Sequence, residues 1–120
     1  MNIELGRLLV ATAILAGRGD YLEIGYGTGE SAALVMETKR RWGLVGQGYA
    51  VDPDPKVQDP IPEGVTLIRG WSPESVPMGK YSLALIDGDH EGEAPLRDWL
   101  KVHPMVTRFV VFHDLQIRGV

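Results

Sequence analysis

Five short apolar runs, bounded by turn-forming residues, do most to limit what this chain can fold into. They are Tyr21–Ile24, Gly48–Val51, Val65–Ile68, Ser82–Ile86 and Arg108–Phe112. A strand with one solvated face alternates apolar and polar residues. Most of these runs do not alternate, which marks strands covered on both faces, as in a parallel sheet. Helical segments fall between several of them. Asn2–Gly17 precedes the first run. Glu30–Trp42 follows it and is ended by Gly43, with Lys39, Arg40 and Arg41 in the last turn, where cations suit the helix dipole. Glu91–His103 lies between the fourth and fifth runs, with Pro95 tolerable in a first turn. Ser72–Pro77 has room for one helical turn only. Asp52–Gly64 carries Pro53, Pro55, Pro60 and Pro62 and reads as a loop. The alternation predicts a doubly wound, mostly parallel five-stranded α/β domain. Right-handed crossovers then place helices on both faces of the sheet.

The chain of 120 residues is long enough for one such domain with one core, taken as residues 1–120. LLVATAILAG, Leu8–Gly17, follows Arg7 in the manner of a short signal peptide, but it is too short to span a bilayer. Leu5, Leu8, Leu9, Thr12 and Ile14 recur at roughly helical spacing, which favours an amphipathic first helix packed on the sheet. The net charge is −4, so the basic footprint of a nucleic-acid binder is missing. The chain has no cysteine, which excludes disulfides, zinc–thiolate sites and cysteine nucleophiles. A cytoplasmic protein with neither nucleic-acid nor membrane partners is the expectation.

In doubly wound sheets ligands bind beyond the carboxyl ends of the strands, so the residues just after each run carry the functional information. After the first come Gly25, Tyr26, Gly27, Thr28 and Gly29. Alternating glycines permit positive φ and close approach of a ligand to the backbone, and the next helix turns its first amides toward the same space. A plain tight turn would use the same residues. After the second run, Asp52 stands where an acid can accept hydrogen bonds from both hydroxyls of a ribose, although an aspartate before proline also simply starts turns. Together the loop and the acid suggest a nucleoside-containing ligand. The spacing G-x-G-x-G departs from the dinucleotide pattern G-x-G-x-x-G. Glu23 before the loop and Glu30 at the helix start would oppose a diphosphate. Both suit a cationic ligand such as S-adenosylmethionine, with its sulfonium and ammonium groups.

LEIGYGTGES, Leu22–Ser31, resembles the first motif of class I S-adenosylmethionine-dependent methyltransferases, and AVDPDP, Ala50–Pro55, resembles the second. LIDGDHEGEAPLRDWL, Leu85–Leu100, followed by FVVFHDL, Phe109–Leu115, is similar to a subgroup with an I-D-G-D-H segment after strand four and an H-D pair after strand five. That subgroup includes metal-dependent sugar and small-molecule O-methyltransferases. The resemblance implies strand order 3-2-1-4-5. It implies that Glu23, Gly25, Tyr26, Gly27 and Gly29 belong to the cofactor loop and that Asp52 binds the ribose. Gly70–Ser72 would lie at the adenine. The family often has an acid or amide there, whereas here Trp71 could stack on the base. Asp87 would lie near the transferred methyl and, with His113 and Asp114, hold a divalent metal.

The residue chemistry agrees in part. Asp87, Asp89, His90, His113 and Asp114 fall at the ends of adjacent strands. Oxygen-rich ligation suits magnesium, and a histidine admits manganese or another transition metal. Such an ion would lower the pKa of a substrate hydroxyl and orient it, with His90 or His113 as general base. Asp87–Asp89 could equally be a turn whose Asp89 or His90 caps the next helix. His103 receives no function, and Trp42 and Trp99 are expected in the core or between helices.

Class I members normally carry seven strands, and this chain stops soon after the fifth. Arg108–Phe112 would then form an open apolar edge, a hazard in water. A second copy covering that edge is one expectation; a fragment is the other. Three functions follow: a metal-assisted O-methyltransferase acting on a small molecule or sugar, a binding module that holds the cofactor without turnover, and, least supported, a nucleotide-binding oxidoreductase domain.

Overall fold

The computed structural model describes residues 1–57, 60–87 and 94–113. Helix α1 (Ile3–Ala16) is followed by β1 (Asp20–Ile24), α2 (Glu30–Arg41), β2 (Gly48–Asp52) and β3 (Val65–Arg69). Then come β4 (Tyr81–Ile86), α3 (Ala94–Val102), a single 3-10 turn (His103–Met105) and β5 (Val106–Phe112). The strands form one sheet in the order β3-β2-β1-β4-β5, and every pairing is parallel. The order expected from the resemblance is the order found.

Helix α1 begins and ends for local reasons. Asn2 caps α1, its side-chain oxygen accepting the amides of Glu4 at 2.7 Å and Leu5 at 3.2 Å. Gly17, with φ 72°, ends it, returning its amide to Ala13 and Ile14. The buried face of α1 is Leu5, Leu9, Thr12, Ala13 and Ala16, whereas Leu8 is 46% exposed. The expected face was therefore right at three positions and wrong at Leu8 and Ile14, because the small alanines of the second half pack closest to the sheet.

The two cores lie on opposite faces. One holds Leu5, Leu9, Ala13, Tyr21, Val35, Leu83 and Leu85 beneath α1 and α2. The other holds Leu22, Ile24, Val51, Ala84, Ile86, Val102 and Met105 beneath α3. Successive strand residues point to opposite faces, so Tyr21 and Glu23 share the α1 side. All six residues of β4 are buried, as a continuous apolar run requires.

Lys39 lies in the last turn of α2, as expected. Its side chain turns inward: it is 3% exposed, and its Nζ donates to the Gly17 carbonyl at 2.9 Å. Burial lowers its pKa, and the charge of Asp20 opposes that shift. Trp42 is 62% exposed, so the core role expected for it is wrong. Trp99 does pack between elements, stacked on His103 at 4.7 Å and tilted against Phe112 at 5.8 Å. Among the described residues no helix is long and apolar enough to cross a membrane.

Candidate functional site

A cavity of about 540 Å³ opens at the carboxyl ends of β1, β2, β3 and β4, where the topology predicts it. Backbone bonds carried past the strand ends fix its walls. The Gly25 amide donates to the Val51 carbonyl at 2.7 Å, the Asp87 amide to Ile24 at 2.8 Å, and the His113 amide to Ile86 at 3.2 Å. The tips of four neighbouring strands, β2, β1, β4 and β5, are thereby held together. Gly25, Tyr26, Gly27, Asp52, Trp71, Asp87 and His113 all line the space.

The loop after β1 needs its glycines. Gly25, Gly27 and Gly29 have φ of 92°, 56° and 92°, a region side chains rarely adopt. At Gly29 a Cβ would run into the Tyr26 hydroxyl, whereas at Gly27 it would meet nothing within 4 Å. Gly29 is thus fixed by packing, and Gly27 leaves open space beside the cavity. Tyr26 itself is 4% exposed and clusters with Ala32 and Ala50.

Asp52 ties this loop to β2. Its Oδ2 accepts the Gly27 amide at 3.0 Å and its Oδ1 accepts the Asp54 amide at 2.9 Å. Lys56 adds a backbone bond to the Gly27 carbonyl at 2.9 Å. The carboxylate is thus oriented before any ligand arrives, and each oxygen keeps a lone pair. Trp71, 67% exposed, stands at the rim after β3.

A sequence profile described as "Methyltransferase domain" matches residues 22–115. The chain belongs to that methyltransferase family. No curated protein matches it. Members of class I take S-adenosylmethionine as methyl donor, and the donor set here fits that cofactor. Gly25–Gly27 offer open backbone, Asp52 presents an oriented carboxylate, and Trp71 presents an exposed ring at the rim.

Glu23 departs from the expected arrangement. It is wholly buried, and its side chain is not part of the cavity lining. The Tyr21 hydroxyl donates to its Oε1 at 2.6 Å, and its Oε2 is buried without a hydrogen-bond partner. Burial raises its pKa to about 8, with Asp87 and Asp52 adding to the rise and the Tyr21 hydrogen bond opposing it. At neutral pH most of this carboxyl keeps its proton. A standing negative charge beneath the loop, invoked above against a diphosphate, is therefore not what this methyltransferase presents.

Asp87 and His113 come together as expected, with Nδ1 of His113 3.0 Å from Oδ1 of Asp87. The distance is that of an ion pair, yet Nδ1 makes no aligned hydrogen bond. A small ring rotation would align the two groups without changing their neighbourhood. His90, Asp89 and Asp114 lie outside the described residues. Among the described residues no group of three or more potential metal-ligating side chains is found. The cavity also brings in Met1, Arg97 and Asp98, which sequence reasoning missed. Asp98 is the lone acid of α3, but its partner was out of reach in sequence.

Proposed function

We propose that this methyltransferase acts on a hydroxyl oxygen of a small molecule or sugar, with residues 1–120 forming one cofactor-binding unit. The observation that carries the reading is the Asp87–His113 pair, 3.0 Å apart, on the wall that the glycine loop and Asp52 share. S-adenosylmethionine supplies an electrophilic methyl group on its sulfonium. The protein must hold a hydroxyl near that group and remove its proton. His113 lines the cavity and can take the proton, with Asp87 orienting the imidazole.

The same nitrogen and oxygen suit a divalent ion. Nδ1 of His113 is buried and without a hydrogen-bond partner, as a ligand atom would be. Asp87 and His113 would hold the ion, with Asp114 as the third ligand the sequence suggests, and the ion would acidify the hydroxyl. The outer edge of β5 supports a further part of the reading. Among the described residues β5 pairs only with β4, and Thr107, Arg108 and Phe109 are exposed. A second copy pairing along that edge would protect it.

A transfer screen over catechols, sugars and matched amines, with magnesium and with chelator, tests the reading. Transfer to hydroxyls, lost in His113→Ala and Asp87→Asn while S-adenosylhomocysteine still binds, is expected. Transfer to amines alone would sink the O-methyl assignment. Chelator-insensitive transfer would remove the metal. Binding without any transfer would favour a non-catalytic module. Sedimentation as a monomer would count against the β5 pairing.

A further inference from the structure

We infer that the methyl acceptor carries an anionic group, a carboxylate or a phosphate, and that Arg97 is the residue that reads it. This rests on the proposed function, in which a hydroxyl is presented beside Asp87 and His113. Among the described residues, Arg97 is the only lysine or arginine that lines the cavity, where Glu30, Asp52, Asp87 and Asp98 supply carboxylates. Each of those acids already has a partner. Glu30 meets the amino group of Met1 at 2.6 Å, and Asp52 accepts the Gly27 and Asp54 amides. Asp87 lies against His113, and Asp98 accepts the Ser72 hydroxyl. The Arg97 side chain is exposed, and among the described residues it makes no ion pair and no hydrogen bond. Its donors are therefore left for a ligand.

Position ties Arg97 to the acceptor. The two residues that follow it on α3 are both anchored. Asp98 is 4% exposed and bound to Ser72. Trp99 packs against Phe112 at 5.8 Å, and Phe112 directly precedes His113. Arg97 is thus presented from a fixed point on the helix that covers β4 and β5, the strands whose ends carry Asp87 and His113. The glycine loop, Asp52 and the start of α2 follow β1 and β2 instead. A guanidinium presents donors in a planar fork that matches two oxygens of a carboxylate or phosphate. A neutral acceptor would leave that fork in water. An anion held there would orient the acceptor before its hydroxyl reaches His113. Arg97 is a specificity-determining residue on this account.

Equilibrium titration of the protein loaded with S-adenosylhomocysteine tests this without requiring turnover. The probes are two matched pairs: protocatechuate against its neutral amide, and glucose phosphorylated at its primary hydroxyl against glucose. The intact protein should bind the anionic member of at least one pair about tenfold more tightly. Preference in the first pair assigns a carboxylate, and preference in the second a phosphate. Arg97→Gln should abolish the preference, Arg97→Lys should keep part of it, and added salt should shrink it. In transfer assays Arg97→Gln should raise KM for the anionic acceptor far more than for its neutral partner. No anionic preference in either pair, or a preference that survives Arg97→Gln, overturns the inference, and transfer to neutral hydroxyls would then leave the proposed function standing. A matching loss of S-adenosylhomocysteine affinity in Arg97→Gln would place the guanidinium on the cofactor's own carboxylate and also overturn it. An anion preference that depends on Arg97, with no transfer to any hydroxyl, would keep the anion site and remove the O-methyl reading.

Discussion

The Tyr21 hydroxyl donates to Oε1 of Glu23 at 2.6 Å inside the sheet, and the other oxygen of Glu23 has no partner. The two residues meet because they are two apart on one strand and so share a face. The folded protein raises the Glu23 pKa from 4.5 to about 8, chiefly by burial. Across that window the folded state binds a proton that the unfolded chain releases. Stability therefore falls as pH rises, by at most about 1.4 kcal/mol per pH unit from this group. Glu23→Gln should flatten the dependence. Urea unfolding of both proteins between about pH 5 and about pH 9 checks it; parallel curves would show that Glu23 does not titrate as described.

Asp52 anchors the glycine loop through the Gly27 amide, and under the proposed function it would receive the ribose. Asp52→Ala should weaken S-adenosylhomocysteine binding by about tenfold to a hundredfold, the loss expected for hydrogen bonds to a charged group. Calorimetric titration reads this directly. An affinity within about twofold of the intact protein would mean that the ribose lies elsewhere.

The two glycines of the loop should separate stability from binding. Gly29→Ala combines a φ of 92° with a collision against Tyr26 and should cost roughly 1–3 kcal/mol of stability. Gly27→Ala meets open space, so its cost in stability should be smaller, about 1–2 kcal/mol from backbone strain alone. Its methyl would intrude on the cofactor's approach, so its larger effect should be on S-adenosylhomocysteine affinity. Denaturation and titration of both variants give the comparison, and equal effects on both quantities would contradict it.

Trp71 is 67% exposed at the cavity rim, and a large exposed aromatic beside a ligand site is suited to stacking. Trp71→Ala should cost about 1–3 kcal/mol of cofactor binding, and Trp71→Phe much less. Quenching of tryptophan fluorescence by S-adenosylhomocysteine should diminish in the alanine variant. Quenching that survives unchanged would place the base away from this ring.

The sequence by itself determined the five strands and their parallel character, while their order came from the family resemblance and the cavity lies at the strand ends where the topology puts it. Buried parallel strands leave continuous apolar runs, and turn residues punctuate them, so this information is local. It also determined that Gly25–Gly29, Asp52, Asp87 and His113 would share one end of the sheet. Only the tertiary structure decided what each side chain does there. Glu23 looked like a charge facing a ligand, and burial between two layers makes it a largely neutral interior group. Lys39 was legible only as a cation suiting the helix dipole, and the end of α1 draws it inward. Asp98 and Ser72 lie 26 residues apart and meet only because α3 and the turn after β3 cover the same face. Protonation and pairing depend on which atoms exclude water around a group, and that is settled by packing between elements rather than by the pattern within any one of them.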